Sequence, residues 1–153
     1  MSSLSIIADD LAVSPPSILG RGPAYPLRLN AGGTDLETSV EEENVKDSIL
    51  AIIETRVGER PHRVRRGVPL GTHLTGSLFE AAEDVASLAR YEIPRVLDVW
   101  EPRIFNITVD ASVQQNATGL VVVMINIQFR YRSTNRADNF VYPYLLQKSE
   151  VGA

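Results

Sequence analysis

The sequence predicts an α+β fold: an extended N-terminal arm, two to three helices, then a C-terminal antiparallel three-stranded meander with an exposed edge. Three observations carry that prediction. Apolar residues recur at helical spacing as far as Trp100 and at strand spacing beyond it. The switch falls on Trp100-Glu101-Pro102-Arg103-Ile104, where Pro102 lacks an amide hydrogen and biases Glu101 towards extended backbone. The chain of 153 residues, 44% hydrophobic and 22% charged, suits one folded domain with a real core.

Residues 1–38 form the expected arm. Pro15, Pro16, Pro23 and Pro26, with Gly20, Gly22, Gly32 and Gly33, disfavour helix there. Leu19, Tyr25, Leu27 and Leu29 are apolar enough to lie against something. The α+β domain is expected over 39–146. Ser39-Val40-Glu41-Glu42 has the spacing of a capping box, and Glu41 to Glu43 suit the positive end of a helix dipole. Val45, Ile49, Ile52, Ile53 and Val57 form one apolar stripe, and Gly58 ends it.

An irregular loop follows from Glu59 to Gly71, with Arg60, Arg63, Arg65 and Arg66 beside His62. Such a cluster in an acidic chain is a candidate docking patch for an acidic surface. The alternative is a solvated loop balancing Glu41 to Glu43, which composition alone favours. Leu74, Leu78 and Phe79 suggest a short helical turn before the acidic connector Glu80 to Asp84. A second helix is expected from Val85 to Trp100, kinked or split near Ile93 because Pro94 cannot bond the carbonyl of Arg90.

After Pro102 the period becomes two. Phe105, Ile107, Val109, Ala111 and Val113 are read as the buried face of a first strand. Leu120 to Arg132 is the second, with Val121, Val123, Ile125, Ile127, Phe129 and Tyr131 on one face. Phe140 to Leu146 is the third, and 147–153 a polar tail. Three strands leave two edges. Leu120 to Ile125 is free of charge, so Val121, Val123, Ile125 and Ile127 are candidates for an edge awaiting a partner's strand.

The chemistry is sparse. Net charge −4 weighs against general binding of nucleic acid or membranes. The absence of cysteine excludes disulfides and thiolate metal sites. The run Leu4 to Ala8 is too short for a secretory signal and is followed by Asp9 and Asp10. No later run is long enough to span a bilayer, so the cytoplasm is the expected location. There is no phosphate-binding glycine motif and no nucleophile elbow. His62 and His73 lack a third ligand at metal-site spacing. No cofactor, metal or catalytic residue is therefore expected. Glu80, Glu83, Asp84 and Glu101 are the carboxylates a hydrolase could recruit, but acids at helix starts are already expected for dipole reasons. Glu101 and Arg103, flanking Pro102, either clamp each other or hold one charge ready for a partner.

Trp100-Glu101-Pro102-Arg103-Ile104, after a helix and before two alternating strands, resembles the hallmark of the gene product 25-like baseplate family, the sheath initiators of contractile tails and injection systems. Tyr25-Pro26-Leu27 with Gly33, Ile49-Leu50 through Thr55, Gly58-Glu59-Arg60, and Gly67, Leu74 and Leu78-Phe79-Glu80 are similar to the family's earlier blocks. Tyr131-Arg132-Ser133-Thr134-Asn135 and Val141-Tyr142-Pro143-Tyr144 are similar to its closing strands. The resemblance spans most of Tyr25 to Leu145. Ala81 departs from it where a proline often stands, as does Pro94 within the helix.

The resemblance implies a non-enzymatic assembly role in several copies around a ring, with Glu101, Pro102 and Arg103 contacting baseplate wedge proteins. The sheet would template sheath subunits by strand addition. Inner tube, hub or spike proteins are further implied neighbours, and the localisation becomes a phage-tail-like particle. Phage tail, type VI apparatus and extracellular particle all fit. Because some relatives have carried a lysozyme label, the resemblance also admits a peptidoglycan hydrolase using Glu101. A soluble regulator binding an adaptor protein is a third reading.

Overall fold

The computed structural model describes residues 18–76 and 81–146. Its elements run β1 (Arg21–Pro23), β2 (Thr38–Val40), α1 (Glu41–Glu54), β3 (Val64–Arg65), β4 (Val68–Pro69), a 3-10 turn (Leu74–Gly76), α2 (Ala82–Trp100), β5 (Ile104–Gln115), β6 (Val121–Tyr131) and β7 (Ala137–Leu145). This is the α+β order expected: two helices, then an antiparallel meander β5-β6-β7.

The described part of the arm is extended and also closes on itself. β1 pairs antiparallel with β2, and a bridge joins Leu29 to Leu36. Leu19 and Ala24 are buried, whereas Leu27 and Leu29 are exposed. Ser39 is not a helix cap. It lies buried in β2, where its hydroxyl accepts a hydrogen bond from Asn44 (3.1 Å), and α1 starts without a side-chain cap. Strand turns into helix with no loop between, and Glu41 takes a left-handed φ of 53° to make the corner. The α1 stripe holds at Val45, Ile49, Ile52 and Ile53, all buried, but the helix ends at Glu54 with Thr55 as its C-cap, so Val57 lies beyond it and Gly58 is not its stop.

Within the arginine-rich loop a short hairpin appears, β3 against β4, turning at Arg66 and Gly67 with φ of 51° and 73°. Positive φ at both central residues is the type I′ pattern, which matches strand twist. Gly71 closes the loop against α1's end; at φ 103°, a Cβ there would sit 2.3 Å from the carbonyl oxygen of Thr55.

Leu78 and Phe79 fall outside the described residues, as do Met1 to Ser17 and the tail from Gln147. α2 runs unbroken through Pro94 rather than splitting, burying Val85, Ala86, Ala89, Ile93, Val96 and Leu97. It begins at Ala82, so Glu83 and Asp84 stand in its first turn rather than in a connector.

α2 packs on one face of the sheet, against the inward side chains Val123, Ile125, Ile127, Phe129 and Tyr131 of β6. One correction concerns β5. Ile104 pairs with Tyr131 and Val109 with Ile127, so an extra residue is accommodated between Phe105 and Thr108, where Asn106 has φ 53°. The bulge flips side-chain parity. Ile104 therefore takes the core position, and Phe105 lies on the opposite face, with Arg132 stacked 5.5 Å from its ring centre.

Candidate functional site

Pro102 ends α2 and exposes itself, while its two charged neighbours turn inward to different depths. Glu101 is 1% exposed. Both its carboxylate oxygens accept from Arg103, Nε to Oε1 at 2.6 Å and Nη2 to Oε2 at 2.7 Å. The remaining guanidinium nitrogen, Nη1, donates to the carbonyl of Leu19 (2.8 Å) and to Asn44 Oδ1 (2.7 Å). One arginine thus ties the end of α2 to the segment before β1 and to α1. The hydrogen bond to Glu101 raises the Arg103 pKa, against burial, which alone would lower it. A bidentate pair of this kind suits arginine's planar fork. The charges of the corner therefore bind each other within the chain. What faces outward is Pro102, capped at its carbonyl by Arg132 Nε (3.0 Å), and the 28% of the Arg103 side chain that stays accessible.

This geometry also bears on the hydrolase reading. A general acid must reach a leaving group. Glu101 is buried with both oxygens engaged, so it is not placed for that role. Glu83 and Asp84 are exposed on α2's first turn, and Glu80 lies outside the described residues. Among the described residues no group of three His, Cys, Asp or Glu could hold a metal ion.

Arg60, Arg63, Arg65 and Arg66 all project from exposed positions. They do not balance the start of α1: Glu42 pairs instead with Arg136. The hairpin carrying them is fastened to the corner, because Trp100 Nε1 donates to the carbonyl of Val68 (3.3 Å) and Val68 is buried. Glu101, Pro102 and Arg103 are thus linked through Trp100 to the arginine hairpin.

The β6 candidates are not part of that cluster. Val121, Val123, Ile125 and Ile127 belong to the central strand, paired with β5 on one side and β7 on the other. Their backbone has no open edge, and Val123, Ile125 and Ile127 are buried in the core. The expectation that Leu120 to Ile125 forms the edge is corrected: its lack of charge reflects burial, and the open edges belong to β5 and β7.

Those edges can be read from the hydrogen bonds. Leu146 N donates to Val121 O and Tyr131 N to Arg136 O, so even-numbered residues of β7 turn their amides and carbonyls to β6. The odd-numbered ones, Asn139, Val141, Pro143 and Leu145, turn theirs outward. On β5 the bond from Asn116 N to Leu120 O sets the opposite edge, which presents Val109, Ala111 and Val113. Arg90 of α2 already occupies the carbonyl of Ala111. Val141 and Leu145 are exposed, 46% and 55%.

Two cavities flank these features. One, of about 430 Å³, lies over the bulge on the outer face of the sheet among Asn106, Thr108, Gln128, Arg130 and Asn139. The other, of about 350 Å³, lies between the β1–β2 excursion and the end of α1, lined by Tyr25, Leu27, Ile52, Glu54, Arg60 and Leu70. At its side Glu54 accepts from the hydroxyls of Tyr25 (2.8 Å) and Tyr142 (3.3 Å). Burial, then the neighbouring Glu54 carboxylate, pushes both phenols up to about 12.

Sequence reasoning missed Asn44 and Leu19 as holders of Arg103, Arg90 on the β5 edge, and the β7 edge itself. For the last a signal existed: Pro143 inside a strand pattern marks an edge strand.

A model of the family described as baseplate wedge protein gp25 matches residues 39–136. Among solved structures, a crystal structure from Geobacter sulfurreducens described as a "putative tail lysozyme" is 35% identical, with a TM-score of 0.57, covering 72% of this chain and 96% of that one. No curated protein matches. The family match covers well over half of the chain, including both helices, the Glu-Pro-Arg corner and the whole of β5 and β6. The chain belongs to the baseplate wedge protein gp25 family.

Proposed function

We propose that this protein links the baseplate wedge to a contractile sheath and templates sheath assembly by accepting a strand. Family membership gives the coarser statement, a structural component of a tail-like baseplate in association with other baseplate proteins. The observation that supports the finer one is the open outer edge of β7. Val141 and Leu145 offer outward amides and carbonyls beside their exposed apolar side chains, while Asn139 offers its carbonyl, its amide being held by Asp138 Oδ1 (2.8 Å); each backbone hydrogen bond gained there contributes about 0.5–1.5 kcal/mol net. Pro143 removes one donor from this edge, which restricts the registers a guest strand can adopt. The β5 edge is the poorer acceptor because Arg90 crosses its centre at Ala111.

The wedge contact is assigned to the face holding Pro102, the accessible part of Arg103 and the arginine hairpin, which Trp100 joins. The protein's place is then inside the particle, between sheath, wedge and, in the same ring, inner tube or hub. No helix of the described residues is long and apolar enough to cross a membrane.

Seeding of sheath polymerisation by the purified protein tests this reading. Val141→Pro deletes an outward amide without touching the β6–β7 bonds, so the variant should keep its circular dichroism spectrum and lose seeding. Normal seeding by Val141→Pro, with loss instead in Val113→Pro on the other edge, would refute the assignment to β7.

A further inference from the structure

The arginines of this chain differ in how they are used. The sequence has only two lysines, Lys46 and Lys148, so nearly all its positive charge is guanidinium. Of the nine arginines outside residues 60–66, seven place their side chain on a protein partner, while Arg56 and Arg95 stand singly at exposed positions without one among the described residues. Arg21 meets Thr38, Arg28 meets Glu37, and Arg90 meets the Ala111 carbonyl. Arg103 holds Glu101, Arg130 the Asn135 carbonyl, Arg132 the Pro102 carbonyl, and Arg136 Glu42. Arg60, Arg63, Arg65 and Arg66 make no ion pair with any carboxylate among the described residues, although they fall within seven consecutive positions. Like charges so close repel one another, and a chain of net charge −4 has acids to spare.

Nor is the segment that bears them loose. Val68 buries the base of the hairpin, and Trp100 Nε1 bonds its carbonyl. Leu70 N bonds Arg63 O, Thr72 N bonds Thr55 O, and Arg56 bridges Thr72. The type I′ turn at Arg66-Gly67 fixes the tip. Arg65 and Arg66 thus stand on a pre-organised hairpin, with Arg63 at its base and Arg60 in the turn before it, so little backbone order remains to be lost on binding.

We propose that this hairpin is a receptor for an acidic segment of another protein, its forks pairing with successive Asp and Glu carboxylates. The reading rests on the baseplate role above and adds the chemistry of one contact. Guanidinium matches carboxylate bidentately. A nucleic-acid phosphate backbone offers the same sign, but the acidic remainder of this chain would repel so dense a polyanion. The cavity among Tyr25, Leu27, Ile52 and Leu70 has Arg60 in its lining and lies beside the hairpin, so an apolar side chain of the same segment can anchor there.

The experiment uses the full chain in two arms. In solution, nuclear magnetic resonance follows titration with a capped poly-glutamate peptide and, separately, with a DNA duplex. In particles, the triple variant R63E/R65E/R66E replaces the wild-type protein, and particle composition is measured by immunoblot. We expect the peptide to shift the Arg60 to Val68 amides, and the variant, with unchanged thermal stability, to bind it at least about tenfold more weakly, since three exposed pairs are lost. We also expect the variant to be missing from purified particles, and suppressors to change an acidic residue to Lys or Arg in one baseplate protein. Normal incorporation of the variant, or tighter binding of the duplex than of the peptide, would overturn the proposal. Absence of the wild-type protein from particles would instead remove the baseplate role itself, so the two failures are told apart.

Discussion

Glu101 sits almost fully out of water, and a carboxylate there is tolerable only because one guanidinium meets both its oxygens. Removing Arg103 leaves that charge buried and unanswered. Arg103→Ala should therefore destabilise the protein by about 3 kcal/mol, the low end for a broken buried pair because Arg103 itself keeps 28% of its side chain exposed. Adding Glu101→Gln should recover part of the loss, measured by urea denaturation. A single Arg103→Ala variant as stable as wild type would show the pair to be ornamental. The Glu-Pro-Arg corner was legible in the sequence because its members are adjacent and Pro102 dictates the turn. Its other holders were not: Asn44 and the Leu19 carbonyl reach Arg103 from 59 and 84 residues away, and no local pattern encodes that meeting.

Tyrosine hydroxyls join separate elements of the fold. Tyr25 of the β1–β2 excursion and Tyr142 of β7 both donate to Glu54 at the end of α1. Tyr131 of β6 donates to Asp138 of β7, where Lys46 of α1 also arrives at 2.9 Å. Tyr25 and Tyr142 are pushed up to about 12 and Tyr131 is raised too, in each case first by burial. A phenol whose folded pKa exceeds its unfolded value stabilises the fold fully below about pH 10, and that contribution disappears as pH rises towards 12. Stability should therefore fall across that window, and Tyr25→Phe/Tyr142→Phe should flatten the fall; an identical slope in the double variant would contradict the origin assigned here. Asp138 behaves oppositely. Burial alone would raise it, but hydrogen bonds from Lys46, Tyr131 and the Asn139 amide together lower it, so its contribution is lost on acidification below the ordinary aspartate range.

Element identity was largely readable because both helix stripes and the strand alternation are strong. Ser39 and Phe105 were misplaced for related reasons. The Ser-x-x-Glu spacing fits a cap equally well when a strand runs straight into the helix. The alternation from Phe105 hides an inserted residue at Asn106 that only cross-strand pairing exposes.

At the scale of the molecule, the arrangement is a sheet with helices on one face and an open strand on each side. The family is one of baseplate wedge proteins, and on the function proposed above the uneven condition of the two edges would give strand addition a direction. The β5 edge is crossed by Arg90, while the β7 edge stays open beside Val141 and Leu145. The sequence contained half of this. The alternation after Pro102 gives the three-stranded meander, and Pro143 marks β7 as an edge. The charge-free run in β6 pointed elsewhere, since a buried central strand and a partner-seeking edge share the same apolar composition.

Amide hydrogen exchange of the full-length protein, alone and mixed with sheath subunits under polymerising conditions, addresses the central claim most directly. In the free protein the outward amides of Val141 and Leu145 should exchange fast, while their even-numbered neighbours on β7 are protected by β6. Strand addition predicts that these two become protected as sheath forms and that the β5 edge is unchanged. Sheath that grows while Val141 and Leu145 keep exchanging at the free rate would contradict it.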